Sequence, residues 1–343
     1  MAATGFGTIS CVFSNGDIFE NNSYTYDANS NRSAWEYGTR DTVNQYTAEY
    51  NSADQMTSMT GPQGTTDFTY DEVGNMAGDT AGSVISYNDR NQATSLEHRY
   101  GQSAQTATYD GSSQFERTQI GGTTTTNSVL GVMSSTDTTG TRNYVRAPDG
   151  RVLGEERANG DWRYYLTDHL GSVIGGTDQN GSRTESYGYG AYGEYQYGTG
   201  GGTDLIYWRY TGAWLDGNSV TGNGFYKIGL RYYDDQIGRW GQTDPLERVI
   251  NPTQPAEAQP YNYSGCNPTN QTDPTGAISG DCVRSTVSNG LQYGVATGAT
   301  GGAVVGLFST GLPGAAIGFT VGGIGGGLFG IGDALFESAF ECW

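Results

Sequence analysis

Polar and apolar residues alternate along much of the first half of the chain, in short runs that end at Asp, Asn or Gly. Residues 23–26 (Ser-Tyr-Thr-Tyr) and 67–70 (Asp-Phe-Thr-Tyr) are two of these runs. A period of two places one side of a strand on a core and the other side in solvent. Asp and Asn satisfy the backbone groups of a turn and tolerate positive φ. The pattern therefore predicts short antiparallel strands joined by tight turns.

The runs belong to a repeated unit, in which Tyr-Asp or Tyr-Asn is followed four residues later by Asn or Gln. Its copies are Tyr26-Asp27 with Asn31, Tyr50-Asn51 with Gln55, Tyr70-Asp71 with Asn75, Tyr87-Asn88 with Gln92, and a degenerate Tyr109-Asp110. One strand–turn–strand unit cannot bury its apolar face alone, so neighbouring units must stack. We expect a mainly β, repeat-built antiparallel sheet that serves as scaffold. An unrelated β-solenoid or propeller is the alternative architecture.

Composition narrows the classes of function. The 343 residues include 17 Lys and Arg against 36 Asp and Glu, which gives a net charge of −19. Nucleic-acid affinity comes mainly from basic side chains that neutralise phosphates, so we expect no nucleic-acid partner. The two histidines, His98 and His169, lie far apart in the sequence. This argues against a histidine-based metal site or a Ser-His-Asp triad, and we expect neither a metal nor a cofactor.

The four cysteines, Cys11, Cys266, Cys282 and Cys342, contain no Cys-x-x-Cys pair, which argues against a zinc ribbon. Three disulfide pairings stay open, beside the alternative of buried free thiols. Residues 1–13 lack a basic region and a long apolar run. We therefore recognise no signal peptide there.

The last part of the chain differs sharply in composition. Residues 285–332 contain no Asp, Glu, Lys or Arg. Two runs of glycines with a spacing of four lie within them: Gly294, Gly298, Gly302 and Gly306, then Gly314, Gly318, Gly322, Gly326 and Gly330. Residues four apart share one face of a helix, and small residues on that face let helices pack closely in lipid. Residues 289–308 and 314–332 are each about long enough to span a bilayer.

These features predict a C-terminal glycine-zipper helical hairpin that inserts into a membrane, with a turn at Gly-Leu-Pro (311–313). Two alternatives stay open for this segment. It packs as an apolar stretch inside the protein's own sheet, or it has no fixed structure.

Several short motifs follow one another between residues 164 and 276. They are Asp168-His169-Leu170-Gly171-Ser172, Gly229-Leu230-Arg231-Tyr232-Tyr233-Asp234, Gly238-Arg239-Trp240, Asp244-Pro245 and Asp273-Pro274-Thr275-Gly276. Their order resembles the RHS repeat-associated core domain of bacterial polymorphic toxins and insecticidal toxin-complex shells, and the upstream units resemble the YD repeats of that family. The resemblance implies a sheet that curls into a shell. It also implies a YD-repeat scaffold (1–163), a core domain (164–276) and a variable C-terminal segment (277–343).

The resemblance further implies chemistry at the end of the core domain. Related shells carry an aspartyl-protease-like self-cleavage site with two Asp-Pro motifs, which here place the two carboxylates at Asp244 and Asp273. Arg231 matches the family's arginine, which would orient one carboxylate. The cut would fall between Ala277 and Ile278. Aspartic catalysis needs two carboxyl groups close enough to share a proton, one ionised to activate water and one protonated. Such an activity is at most a single turnover in cis.

The sequence departs from the family pattern at three places. Glu247 replaces the glycine of the first Asp-Pro motif, the segment between the motifs is longer near residues 251–259, and Ala277 stands where leucine is usual. The alternative is that both Asp-Pro pairs only start turns. For Asp168 and His169 we favour a turn in which both side chains cap backbone groups, because no Ser or Cys nucleophile lies at a recognisable spacing.

The leading functional hypothesis is an RHS-type toxin or secreted surface protein, whose shell houses its own C-terminal segment as cargo and releases it by self-cleavage. An immunity protein or a component of a secretion machine is the partner expected from the resemblance, and the glycine spacing of the C-terminal segment adds a membrane. One alternative is a non-catalytic cell-surface adhesion or interaction module anchored by the C-terminal hairpin. Another is an inactive remnant, which the drifted repeats and Glu247 suggest.

Overall fold

The computed structural model describes residues 9–12, 19–39, 42–99, 103–110, 117–200, 206–218, 223–245 and 259–277. The first nineteen strands of these residues form one sheet. Their bounds are β1 Ile9–Val12, β2 Phe19–Tyr26, β3 Arg32–Thr39, β4 Thr42–Tyr50, β5 Met56–Gly61, β6 Gly64–Tyr70, β7 Met76–Asp79, β8 Val84–Tyr87, β9 Ala93–Glu97, β10 Gln105–Tyr109, β11 Arg117–Ile120, β12 Thr123–Ser128, β13 Gly131–Asp137, β14 Gly140–Arg146, β15 Val152–Glu156, β16 Trp162–Thr167, β17 Val173–Asp178, β18 Arg183–Tyr189 and β19 Tyr195–Gly200.

Each of these strands pairs antiparallel with the next strand in the chain, so the sheet is a continuous meander from β1 to β19. Four further strands form a second antiparallel sheet: β20 Trp214–Asn218, β21 Asn223–Ile228, β22 Arg231–Asp234 and β23 Arg239–Trp240. Short 3₁₀ turns at Tyr210–Gly212 and Ser264–Cys266 come before and after it. The predicted mainly β, antiparallel, repeat-built sheet is confirmed.

The predicted C-terminal hairpin, with its nine spaced glycines, lies in residues 278–343, outside the described residues. Within the described ranges no helix has the length and apolar character needed to cross a membrane. The division of the chain at residue 164 stays a prediction, and that position falls inside β16.

The YD turns share one geometry, as their sequence predicts. The first turn residue accepts hydrogen bonds, through its side-chain oxygen, from the backbone N–H groups two and four residues later, at 2.8–3.1 Å in the turns starting at Asp27, Asn51, Asp71 and Asn88. The third residue after it is left-handed, with φ of 65° at Ser30, 58° at Asp54, 90° at Gly74 and 57° at Asn91. Side-chain capping thus supplies the partners that a tight turn leaves unpaired.

The repeat tyrosines tie each unit to the preceding one. The hydroxyl groups of Tyr50, Tyr87 and Tyr109 donate at 2.8–3.0 Å to the carbonyl that lies five residues after the first turn residue of the preceding unit, at Arg32, Met76 and Ala93. Tyr189, outside these units, donates to the carbonyl of Val173 at 2.7 Å. A tyrosine therefore contributes both an apolar ring to the core and a donor for a carbonyl group at a strand start.

The same turn continues beyond the repeats that the sequence makes visible. A backbone hydrogen bond to the carbonyl four residues later closes further turns that begin at Ala147, Arg157, Asp168, Asp178 and Gly190. The left-handed residue is a glycine in each of them, at Gly150, Gly160, Gly171, Gly181 and Gly193. The Asp-His-Leu-Gly-Ser motif is therefore one more repeat turn.

One face of the meander packs against the second sheet and the residues that lead into it. Trp35 and Leu96 of the meander share a core with Tyr232 of β22. Further along the sheet, Tyr144 packs at right angles to Trp208, with ring centroids 5.3 Å apart. Burial of these rings fixes the second sheet, and hence β22 and β23, over the meander.

Candidate functional site

The site lies where the second sheet meets the segment 259–277. Ile228 and Arg231 are paired across the tight turn between β21 and β22, which places Arg231 at the start of β22. Gly229 in this turn has φ of +51°, and a Cβ on it would overlap the carbonyl of Thr275. The backbone N–H of Leu230 donates to that same carbonyl at 2.9 Å. Only a glycine lets the turn and the segment approach this closely.

The buried Arg231 side chain contacts both predicted carboxylates. Its Nη2 lies 3.2 Å from Oδ2 of Asp244 and 3.2 Å from Oδ2 of Asp273. Because both oxygens contact one nitrogen, their separation is at most twice this distance. The three side chains are 2–5% exposed. The structure therefore brings together all three residues that the resemblance singled out as catalytic.

Further contacts hold the guanidinium in place. Arg231 also donates to the carbonyls of Gly276, through Nε, and of Pro260, through Nη1 at 3.1 Å. Its Cζ lies 4.1 Å from the ring centroid of Trp240, a cation–π contact. Sequence reasoning missed these partners. The Gly-Arg-Trp motif contains Trp240, but the sequence assigned no role to it. Residue types do not show which backbone carbonyl an arginine side chain contacts.

Asp273 accepts hydrogen bonds from its own turn as well as from the arginine. Besides Arg231, its Oδ1 accepts a hydrogen bond from Oγ1 of Thr275 at 3.1 Å and from the backbone N–H of Ala277 at 3.2 Å. Asp273 thus caps a turn, as the structural alternative expected, and contacts the arginine as well. Ala277, on the N-terminal side of the predicted cut, is held in this way and is buried. Ile278 lies outside the described residues.

An aromatic cluster surrounds the carboxylates. Tyr263 is 1% exposed and packs against Tyr233 and Trp240, with ring centroids 4.5 and 5.5 Å away. Burial raises the pKa of the Tyr263 phenol above its usual value, and the charge of Asp273 raises it further. The phenol is therefore neutral near Asp273 at ordinary pH.

Side chains of residues 239–262 fasten the segment to the YD turns. They donate to the carbonyl groups of the four left-handed turn residues at 2.5–2.9 Å, from Asn262 to Ser30, Arg239 to Asp54, Tyr261 to Gly74 and Gln242 to Asn91. The repeat turns therefore position the strand and loop that carry Asp244 and Asp273.

The turn at 168–172 behaves largely as predicted. Oδ1 of Asp168 accepts the backbone N–H groups of Leu170 and Ser172, both at 2.9 Å. His169 is exposed, and its Nε2 lies 3.0 Å from the carbonyl oxygen of Thr269. Both side chains thus satisfy backbone groups, and neither contacts the carboxylate pair in the contacts described for them.

No group of three or more His, Cys, Asp or Glu side chains suited to a metal ion occurs in the part of the chain that the structure describes. Cys266 is a free thiol, and burial raises its pKa to about 11. Cys11, Cys282 and Cys342 lie where side chains are not described, so the predicted pairings stay open.

Comparison with known proteins agrees with this fold. A family model described as Teneurin YD-shell matches residues 7–269. The chain belongs to this family of YD-shell proteins, which confirms the predicted membership among YD-repeat proteins. Salivary gland surface protein 1 of Aedes aegypti is 36% identical over 140 residues, which make up 40% of this chain and 4% of that protein.

One solved structure supports the fold, and a second is similar at a lower score. The crystal structure of TcdB2-TccC3-TEV matches 75% of this chain with a TM-score of 0.51 and 17% identity, over 15% of that chain. TcdB2-TccC3 without its hypervariable C-terminal region matches with a TM-score of 0.44 and 18% identity, over 75% of this chain and 15% of that chain. The chain thus spans only a small part of the length of these relatives.

Proposed function

We propose that the chain is a toxin-complex-type YD-shell protein that cuts its own backbone after Ala277 and so releases its C-terminal segment. The observation that carries this proposal is the contact of one arginine nitrogen with two buried carboxylates, Asp244 and Asp273, each at 3.2 Å. A structural turn needs no such pairing. Two carboxylates in one desolvated site are the arrangement that aspartic proteolysis uses.

Asp273 has two roles in this proposal, as a catalytic carboxylate and as a group that holds Ala277. It accepts from three donors, as an ionised carboxylate does, and it holds the N–H of Ala277. That nitrogen is two covalent bonds from the carbonyl carbon to be attacked, so Asp273 fixes the reacting group beside the pair. Such fixation converts a slow encounter into a reaction within one molecule.

The reaction is the hydrolysis of one peptide bond. The carboxyl pair removes a proton from water, whose oxygen adds to the carbonyl carbon of Ala277. The bond to the nitrogen of Ile278 then breaks, and that nitrogen takes up a proton from the carboxyl pair to leave as an amine. Arg231 holds both carboxyl groups in place and balances their charge. The small side chain of Ala277 predicts a slower cut than leucine would allow.

Intact mass measurement of the purified protein tests the proposal, with Asp244→Asn and Asp273→Asn beside it. We expect two fragments split after Ala277 in the parent and one chain in each variant. Asn at 273 keeps an oxygen for the N–H of Ala277 and removes the charge, so it separates catalysis from turn capping. Asp178→Asn is the matched control, because Asp178 caps an exposed turn with hydrogen bonds of 2.8–2.9 Å.

A cut Asp273→Asn variant would overturn the catalytic role of Asp273, and an uncut parent would overturn self-cleavage itself. In that event the second candidate takes its place, a non-catalytic surface or secreted interaction module anchored by its C-terminal hairpin. The relative named as a surface protein favours this candidate. Membrane fractionation of the producing cell separates the two, because an anchored module stays in that cell's membrane and a shell protein with stored cargo does not.

We propose further that the released segment inserts into a membrane and that the shell stores it until delivery. The support is the glycine spacing over residues 294–330 and the absence of charge over residues 285–332. Dye release from liposomes by the cut parent, compared with Asp273→Asn, is the test. Equal dye retention by both proteins would exclude membrane insertion by the segment. Delivery machinery and an immunity protein are the partners expected on this proposal, with a secreted or surface location.

A further inference from the structure

The turn at residues 168–172 has contacts that its own capping does not require. Its shape is set internally by Asp168, which bonds the N–H groups of Leu170 and Ser172, and by Gly171, whose φ is +88°. The side chains of His169 and Ser172 are not needed for that shape. Both instead reach other parts of the chain.

The Ser172 contact supports an unusual conformation. Oγ of Ser172, which is fully buried, accepts the backbone N–H of Thr211 at 3.1 Å. Thr211 has φ of 50° and ψ of 22°, a left-handed conformation that is rare for a β-branched residue and persists only where neighbours fix it. The turn is thus already anchored on one side to the 3₁₀ turn Tyr210–Gly212, which leads into the second sheet.

The His169 contact fastens the loop that leads to Asp273. The carbonyl of Thr269, four residues before Asp273, lies 3.0 Å from Nε2 of the imidazole. A carbonyl only accepts, so Nε2 carries the proton in this contact. Loop residues 267–270 otherwise bond within the loop or to Ser264 in the hydrogen bonds described for them.

The bond from His169 adds an anchor close to the point where the chain reverses before Asp273. Ser264, Gly265 and Cys266 all have positive φ, at 49°, 57° and 64°, so the chain reverses sharply where the loop begins. A catalytic group must be held within a fraction of an ångström of its working position, and small displacements slow a reaction strongly.

We propose that His169 is a positioning residue for self-cleavage: its Nε2–H anchors the carbonyl of Thr269 to a rigid repeat turn and thereby fixes Asp273 against Arg231 and Ala277. The inference rests on the proposed function and adds a residue to its machinery. It also gives the Asp-His-Leu-Gly-Ser motif a role in a site far from it in the sequence.

The test measures the rate of self-cleavage after synthesis in a cell-free system, by the fraction of full-length chain over time. His169→Gln retains an N–H donor near the position of Nε2, and His169→Leu removes the donor at similar size. We expect His169→Leu to cut about ten-fold more slowly than the parent and His169→Gln to cut within about three-fold of it, since an unanchored loop loses attack geometry. Because His169 is exposed, both variants keep the parent's melting temperature.

The outcomes separate this inference from the function on which it rests. An uncut parent overturns the proposed self-cleavage and this inference with it. A cutting parent with His169→Leu at the parent's rate overturns only the positioning role. Equal slowing in the Leu and Gln variants, or a melting temperature that falls in both, would assign His169 a purely structural part and would also overturn it.

Discussion

Arg99 forms a buried ion pair that joins the two sheets, and its contribution to stability can be measured directly. Its Nη1 and Nη2 donate to the two oxygens of Asp234 in β22 at 3.1 and 2.6 Å, and its Nε donates to Asp79 of β7 at 2.7 Å. Arg99 is 5% exposed and both carboxylates are fully buried. Replacing Arg99 by Met keeps most of the volume and leaves two buried negative charges without this partner.

The expected loss follows from the geometry. Removing one member of a buried, hydrogen-bonded ion pair destabilises a protein by about 3–5 kcal/mol, because the remaining charge stays desolvated. Total stabilities are about 5–15 kcal/mol, so Arg99→Met removes a large share of the free energy of unfolding. Since β22 also carries Arg231, the same change loosens the candidate site.

Urea unfolding of Arg99→Met, Asp234→Asn and the double variant measures the effect. We expect the double variant to lose less than the sum of the single losses, because Asn at 234 removes one of the unpaired charges. Arg151→Met is the matched control. Its pair with Asp149 has a similar distance, 2.8 Å, but is 57% and 55% exposed, so we expect a change below about 1 kcal/mol. A loss at Arg99 as small as at Arg151 would refute the reasoning.

Three further predictions concern single groups. Tyr87→Phe removes the hydroxyl that donates to the Met76 carbonyl at 3.0 Å, and urea unfolding should show a loss of about 1 kcal/mol. No loss would mean that the repeat tyrosines act through their rings alone. Gly229→Ala places a Cβ against the Thr275 carbonyl, so we expect a lower melting temperature and slower self-cleavage, and parental values for both would contradict the close approach. Burial opposes ionisation of Asp137, but hydrogen bonds from neighbouring groups outweigh it and lower its pKa from 3.8 to about 2. A lowered pKa stabilises the fold above the unfolded value and loses this effect as pH falls through about 2, so Asp137→Asn should flatten the pH dependence of stability between pH 4 and 2. An unchanged slope would refute that assignment.

Local structure was predictable from the sequence because its causes are local. The alternation of polar and apolar residues, with the turn residues that follow, predicted the strands that end near Tyr26, Tyr50, Tyr70 and Tyr87. The structure confirms these strands and the turns that follow them. The repeats after residue 147 were missed because their turns do not begin with Tyr-Asp. Their one shared signal is a glycine three residues into each turn, which a search for the Tyr-Asp pair does not detect.

The site was predictable only in part. The resemblance supplied Arg231, Asp244 and Asp273, and the structure brings them into contact. The resemblance did not predict which backbone carbonyls accept hydrogen bonds from Arg231. No local sequence pattern shows which carbonyl lies near a guanidinium that is distant in the sequence. The packing of the second sheet on the meander escaped prediction for the same reason, since it depends on contacts more than one hundred residues apart, such as Arg99 with Asp234.

The segment that carries the site contacts backbone carbonyl groups of the repeat turns, which explains how repeats of divergent sequence can support one defined site. The four left-handed turn residues differ in type, yet each offers its carbonyl to a side chain of residues 239–262. A carbonyl group is present whatever the side chain, so the loop requires only the turn's conformation, which Gly, Asn and Asp adopt readily. The carbonyl contacts themselves do not use the side chain at these positions, although the side chains of Asp54 and Asn91 also accept hydrogen bonds, from Asn31 at 2.8 Å and from Asn75 at 3.2 Å. The first turn residue is Asp or Asn in all four of these turns, and its side-chain oxygen caps each of them. Capping by this residue and the left-handed conformation three residues later together present the carbonyl groups that Arg239, Gln242, Tyr261 and Asn262 contact.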